Sequence, residues 1–367
     1  MENSISVSLH ASQTFSGHPW VSLDQLDGDV PAQACVATLL DSEGTALGSG
    51  LFDPRDSRRV WRRFSMAGGV DFDGSYLSSA VHDALSRRSD EACQRLICSD
   101  ADYVPGLEVD LYDGILALKS THVIVDHALD EIVGCLQDAC EPKEIVIYDK
   151  DEVRTLSGQN LKARWIEVDG LFYRLDLLNV EKPGFFLDQR EQHALVGSLC
   201  QGRVVLDGHS HSGAFALQAA RNGAEHVVAV DTSDACVKAI GAAAQKNDCF
   251  IETIQADVGA FLAEREVGEV DAIILDPPQT AEAFDSIAVE ALHTTAFNCL
   301  PAGGLLATYC RSEGTIAADF EAAVARSCAA AGREARIFAR TAQPFDFPVL
   351  FNLPESRYLK GLILQVE

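Results

Sequence analysis

The stretch Val204-Val205-Leu206-Asp207-Gly208-His209-Ser210-His211-Ser212-Gly213-Ala214-Phe215 decides the fold class. An apolar run ends in a carboxylate, a loop of small residues follows, and helical spacing begins at Phe215. Such a strand–loop–helix unit lets backbone approach a ligand closely and offers it the free N–H groups of a helix N-terminus. The unit repeats. Strand candidates at 203–206, 226–230, 272–275, 305–309 and 359–365 alternate with helical stretches at 215–222, 235–246 and 315–331. This predicts an α/β fold with a mostly parallel, doubly wound sheet and ligands at the carboxyl ends of its strands.

Those strand ends are acidic. Asp207 closes the first strand and Asp231 the second, Asp257 follows a third apolar stretch, and Asp276 ends the fourth. A single Asp of this kind is more often a cap or turn residue, but several at successive strand ends point to a ligand. Neither G-x-G-x-x-G nor G-x-x-x-x-G-K-[ST] is present, which removes dinucleotides and nucleoside triphosphates. S-adenosyl-L-methionine remains, with ribose hydroxyls and an amino-acid tail but no phosphates. Asp207, His209, Ser210, Ser212 and Gly213 are its expected loop, Asp231 and Thr232 its ribose neighbours, Asp257 and Val258 its adenine neighbours. Asp276-Pro277-Pro278-Gln279 holds a carboxylate and rigid backbone carbonyls beside the expected methyl position. An enzyme directed at an exocyclic amine would usually carry an aromatic where Gln279 stands, which weakens that chemistry without removing it.

Upstream the pattern changes. Arg55, Arg58, Arg59, Arg62 and Arg63 cluster around Trp61, after short apolar stretches broken by turn residues. That spacing predicts a small β-barrel whose arginines either grip RNA phosphates or pair with carboxylates on a solvated edge. From about residue 74, helices at 76–88 and 123–140 and strands at 95–98, 107–112, 115–118, 144–148 and 171–175 predict an α+β middle domain. The expected boundaries are 1–72 for the PUA-like barrel, 73–183 for the middle domain and 184–367 for the methyltransferase domain.

Composition narrows the class further. The 367 residues are 47% hydrophobic and 23% charged, with no apolar run of the roughly 20 residues a spanning helix needs. No membrane partner is expected. The eleven cysteines include no CxxC pair, and the histidines show no metal-ligand spacing, so neither a disulfide framework nor a metal is expected. The reading is a reduced, cytoplasmic protein. With 29 basic against 55 acidic residues the net charge is −26, which opposes loose adhesion to nucleic acid and confines any RNA contact to a local basic patch.

Several segments resemble the bacterial class I methyltransferases that modify a cytosine C5 of large-subunit ribosomal RNA. They are Gly184-Phe185-Phe186-Leu187-Asp188-Gln189-Arg190, the loop after Asp207, Asp276-Pro277-Pro278, and Phe347-Pro348-Val349 with Pro354-Glu355-Ser356-Arg357-Tyr358-Leu359-Lys360-Gly361. His18-Pro19-Trp20-Val21 and Leu47-Gly48-Ser49-Gly50 resemble that family's PUA domain, and Asp102-Tyr103-Val104-Pro105-Gly106-Leu107-Glu108-Val109-Asp110 its middle domain. The resemblance implies PUA, middle and Rossmann domains, S-adenosylmethionine held also by Phe186, Asp188 and Arg190, and 23S ribosomal RNA as substrate. A homodimer is carried as an expectation.

The chemistry at C5 needs a cysteine thiolate that adds to C6 and makes C5 nucleophilic. In the family that cysteine follows the fifth strand, but here the run is Gly303-Gly304-Leu305-Leu306-Ala307-Thr308-Tyr309-Cys310-Arg311-Ser312. Without a gap, Arg311 takes the nucleophile position and Cys310 stands one residue early. Three readings stay open. Cys310 reaches the base if the strand ends at Tyr309; or it is a buried small apolar residue; or no covalent step occurs and Arg311 holds phosphate or base. The expected catalytic pair is accordingly Cys310 and Asp276. Methyl transfer to a guanine nitrogen of rRNA, or a non-catalytic RNA-binding assembly factor, are the alternatives.

Overall fold

A computed structural model describes residues 5–13, 15–149, 152–179, 185–278 and 286–367, so Gly184 and Gln279 lie outside the described residues. The chain divides into two compact units. The first comprises 1–162, 177–183 and 345–356, and the second 163–176, 184–344 and 357–367.

In the first unit a six-stranded sheet has the order Trp20–Val21, Trp61–Ser65, Ala46–Phe52, Cys35–Leu40, Ser6–Leu9, Leu26–Asp27. Its inward residues Val7, Leu9, Leu39, Phe52, Val60 and Trp61 form one core, consistent with a PUA-like barrel. Trp61 lies flat because its neighbour is Gly50, where a Cβ would come within 2.3 Å of the indole. The indole Nε1 donates to Ala37 O at 2.9 Å. A five-stranded sheet follows, ordered Val153–Thr155, Glu144–Tyr148, Ile115–Ser120, Leu107–Tyr112, Cys93–Cys98. Leu51 and Phe64 from the barrel share its core with the Gly74–Ser86 and Leu129–Cys140 helices. The helix expected at 123–140 is two, Val123–His127 and Leu129–Cys140, because Ala128 turns out of helical geometry at φ −91, ψ 8.

The arginine cluster turns inward. Arg62 is buried in an ion pair with Asp100. Its Nε donates to Asp100 Oδ1 at 3.1 Å, and the Trp20 Nε1 donates to the same oxygen at 2.8 Å. Arg63 is buried with its Nη2 on Gly17 O at 3.0 Å. Arg55 pairs with Asp53 at 2.7 Å and Arg59 with Asp56 at 3.0 Å. The expected RNA grip is thus corrected: Arg62 and Arg63 are structural because their side chains leave the surface, and Arg55 and Arg59 are already neutralised. Arg58 stays exposed, with no partner among the described residues.

The second unit carries the doubly wound sheet. In chain order its strands are Val204–Gly208, His226–Asp231, Glu252–Gln255, Ala272–Leu275, Leu305–Arg311, Ala335–Thr341 and Leu359–Val366, arranged 3-2-1-4-5-7-6. The first five run parallel, and the last is antiparallel to both neighbours. The order reverses between the first and fourth strands, so ligand space opens at the tips of Asp207, Asp231 and Asp276. The Leu171–Leu175 strand, expected in the middle domain, pairs with Arg164–Val168 in a hairpin that lies in this unit. Asn247 ties it down, accepting from Phe172 N and donating to Phe172 O, both at 2.8 Å.

Asp100→Ala would strand the buried Arg62 guanidinium and leave the Trp20 N–H without its acceptor. The expected cost is about 3–5 kcal/mol, read as a lower urea midpoint at unchanged m-value.

Candidate active site

The loop after the first strand is built by backbone bonds that the second strand supplies. Ser210 N and Oγ both donate to Val230 O, at 3.2 and 3.1 Å. Asp231 is buried, and its carboxylate accepts from His211 N at 3.0 Å and from Ser233 N at 2.8 Å. The loop takes left-handed backbone at His209 (φ 62), His211 (φ 48) and Gly213 (φ 74). Gly213 is required twice over, since a Cβ there would also meet Ile240 at 2.9 Å. Burial pulls the His209 imidazole below its usual range.

Asp207 is 1% exposed and accepts from Ala216 N at 3.0 Å, in the first turn of the Ala214–Arg221 helix. Burial pushes its carboxyl up to about 8, against that hydrogen bond and helped by repulsion from Asp276 and Asp231. Burial likewise raises Asp276, while Arg311 draws it back. Asp207 thus stands beside two further carboxylates, and a cation placed among the three would relieve the repulsion on it. S-adenosylmethionine, with its sulfonium and ammonium groups, fits that set.

A second cluster faces the fourth strand tip. The Phe186 ring lies 4.5 Å from the His211 ring at 34°, and the Arg311 guanidinium sits 3.9 Å over the Phe186 centroid. Arg311 Nη1 donates to both Asp188 oxygens, at 2.6 and 2.9 Å, and Tyr358 Oη donates to Asp188 Oδ2 at 2.9 Å. Arg311 Nη2 lies 3.8 Å from Asp276 Oδ2. Phe186, Asp188, Asp276 and Arg311 are therefore together, although they come from three segments of the chain. Arg311, expected on RNA phosphate, is held instead by a buried carboxylate. Arg190 is also buried, at the start of the Arg190–Ser198 helix.

Other expected residues stand differently. Asp257 is exposed and caps the Val258–Ala263 helix by accepting from Ala260 N at 2.8 Å. The Val258 side chain packs in the core, so only its backbone can meet a ligand. Thr232 is exposed, with its carbonyl taken by Gln255 Nε2 at 3.1 Å. Ser212 and Pro277 are half-buried. The residue that sequence reading leaves without a role is Tyr358: it stands inside a quoted motif, but only the fold carries its hydroxyl to Asp188.

Cys310 requires a correction. The fifth strand does not end at Tyr309 but pairs with the last strand through Cys310↔Lys360 and Arg311↔Leu359. Side chains therefore alternate to the end. Leu306 and Cys310 join the core with Phe297, Phe320 and Val324, and Thr308 on the same face donates to His293 Nε2 at 2.7 Å. Tyr309 faces the other way and stacks on Phe215 at 5.2 Å. Cys310 is fully buried, and burial raises its thiol to about 11 despite Lys360. About one molecule in ten thousand would hold a thiolate at neutral pH. Cys200 donates to Val196 O at 3.1 Å, and burial, helped by the nearby Asp207, pushes its thiol up to about 12. Among the described residues no group of His, Cys, Asp and Glu could hold a metal ion, and no helix is long and apolar enough to cross a membrane.

Comparisons with known proteins follow this geometry. A family model described as conserved hypothetical protein 95 matches residues 190–336. Ribosomal RNA large subunit methyltransferase I of Photobacterium profundum is 29% identical over 95% of this chain and 96% of its own length. The Aeromonas salmonicida protein of the same name is 29% identical over 95% of each. A Streptococcus mutans structure described as a SAM-dependent methyltransferase superposes with TM-score 0.88 at 20% identity, covering 98% of this chain and 100% of its own. Another methyltransferase structure, complexed with SAH, gives TM-score 0.88 at 20% identity over 99% of each chain. These two structural likenesses show the fold.

Asp207 also sets a pH dependence. Its folded pKa lies above the unfolded one, so the fold binds the extra proton, and the stability this contributes is present below about 4 and lost as pH rises through about 8. Asp207→Asn, which keeps the acceptor for Ala216 N, is expected to flatten that fall. Melting temperatures from pH 5 to 9 check it.

Proposed function

We propose that this chain, similar over nearly its whole length to ribosomal RNA large subunit methyltransferase I, is an S-adenosylmethionine-dependent methyltransferase of ribosomal RNA. The observation that carries the reading is the set of carboxylates at adjacent strand tips, buried Asp207 and Asp231 and half-buried Asp276, arranged around a switch point of a 3-2-1-4-5-7-6 sheet. The sulfonium and ammonium groups of the cofactor answer their charge, and the backbone of 209–213 answers its amino-acid tail.

Asp231 is placed for the ribose hydroxyls, the Ser210–Gly213 backbone for the methionine end, and the Asp257–Val258 backbone for adenine. Bound there, the cofactor supplies an electrophilic methyl group. The chain's own residues orient the acceptor: Phe186, Asp188 and Tyr358 fix Arg311, and Pro277 limits the backbone beside Asp276.

The substrate is read as 23S rRNA in the cytoplasm. Supporting this, every described cysteine is a free thiol. RNA contact in the first unit centres on Arg58 and on a cavity of about 330 Å³ that it lines with Phe15, His18, Trp20 and Glu355. Aromatic faces beside an unpaired cation suit unstacked bases. The 23S assignment and the homodimer rest on the family resemblance.

C5 of cytosine as acceptor also rests on that resemblance. Its thiolate has no source on the Asp276 side among the described residues, because Cys310 faces the core.

S-adenosylmethionine at 100 times its dissociation constant is expected to stabilise the protein by about 2.7 kcal/mol, raising the melting temperature. Asp231→Ala should remove most of that shift while circular dichroism stays unchanged. Calorimetry near pH 7 in buffers of different ionisation enthalpy should show proton release on binding, as the cofactor's charge displaces the proton from Asp207. No shift at millimolar cofactor would overturn the reading.

A further inference from the structure

We infer that the methyl acceptor is a nucleobase nitrogen that carries a proton, with the Asp276 carboxylate receiving that proton and Arg311 positioning the base. This inference rests on the methyltransferase reading above and specifies its substrate atom.

Two requirements separate carbon from nitrogen. Cytosine C5 has no lone pair to give, so its methylation needs a thiolate on C6 first. A base nitrogen needs no covalent adduct. Its lone pair forms the new N–CH₃ bond, the S–CH₃ bond breaks with its electrons going to sulfur, and the N–H proton must leave to a base. The first chemistry needs a cysteine at the site and the second a carboxylate.

The site supplies the second. The position that would hold a nucleophile is filled by Arg311, which cannot act as one, because its guanidinium stays protonated. Nor is Arg311 a loose surface substitution. It is fixed by both oxygens of Asp188, which in turn accepts from Tyr358, and it sits 3.9 Å over the Phe186 ring. That lock is a finished structure, with four side chains from three parts of the chain. It leaves Nη2 buried, without a hydrogen-bond partner, 3.8 Å from Asp276 Oδ2. A planar donor beside a carboxylate can hold a base carbonyl while the neighbouring nitrogen faces the acid. Asp276 is raised by burial, which brings a carboxylate closer to the range useful for taking a proton at neutral pH.

The thiol candidates fail on position as well as on ionisation. Cys310 lies on the opposite face of its strand from Arg311, in contact with the apolar helices. Its partner across the ladder, Lys360, is engaged with Ser312 O and with Tyr358 O at 3.2 Å.

The test uses the full chain, ribosomal RNA from a host strain lacking it, and S-adenosylmethionine carrying a deuterated methyl group. Digestion and mass spectrometry identify the labelled nucleoside. An N-methylated base is expected, with Cys310→Ala retaining wild-type transfer within about threefold. Asp276→Asn is expected to lose at least 100-fold in transfer at saturating S-adenosylmethionine, the saturating level being set from the variant's own thermal shift. The same RNA transcribed with 5-fluorocytidine should give no SDS-stable protein–RNA adduct.

Labelled 5-methylcytidine, or a covalent adduct lost in Cys310→Ala, would overturn the inference while leaving the methyltransferase reading intact. Full activity of Asp276→Asn would overturn the role of that carboxylate. A protein that binds S-adenosylmethionine yet labels no RNA would overturn the rRNA reading, and the acceptor assignment with it.

Discussion

The ladder between Leu305–Arg311 and Leu359–Val366 runs in unbroken register from Leu305↔Gln365 to Arg311↔Leu359. The chemistry of the second unit depends on it. While the pairing holds, neighbouring side chains point to opposite faces, so Cys310 and Arg311 cannot both reach the same site. Cys310 goes to the core formed with Phe297, Phe320 and Val324, and Arg311 goes to Asp188 and Asp276. Lys360, opposite Cys310, helps to hold the end of the ladder by donating to Ser312 O, which keeps the strand extended through Arg311. A strand ending two residues earlier would have freed the thiol.

Charge is managed locally in a protein of net charge −26. Some of its arginines are used where a carboxylate is buried. Arg62 serves Asp100, Arg88 serves Asp102 and Arg311 serves Asp188. Such pairs add little net stability compared with apolar packing, but removing one partner is costly, which makes each of them specify an arrangement. The strand tips follow the opposite rule. At Asp207 burial, with Asp231 and Asp276 nearby, leaves the carboxyl raised rather than neutralised by an arginine.

Much of this was readable in the residues. Strand–helix alternation, small residues after Asp207 and acidic strand ends follow from local spacing, so the doubly wound sheet and its ligand end were predictable. Asp231 shows how a correct position can carry an unexpected duty: it is at the expected tip, but its oxygens also organise the loop through His211 N and Ser233 N. Asp257 kept the bland role of a helix cap. The arginine cluster misled because five cations in nine residues read as surface, whereas Trp61–Ser65 is a strand covered on both faces, so that Arg62 is buried against Asp100 and Arg63 against Gly17 O.

By itself the sequence determined the class of fold, the order of its elements and the kind of ligand its strand ends could accept, because these depend on periodicities and residue types a few positions apart. Only the tertiary structure decided which of two adjacent residues faces Asp188 and Asp276, which arginines remain available, and that Tyr358 completes the Asp188–Arg311 lock. Those outcomes depend on strand register and on contacts between segments far apart in the chain, and a one-residue shift in register would reverse the first of them without changing a single letter.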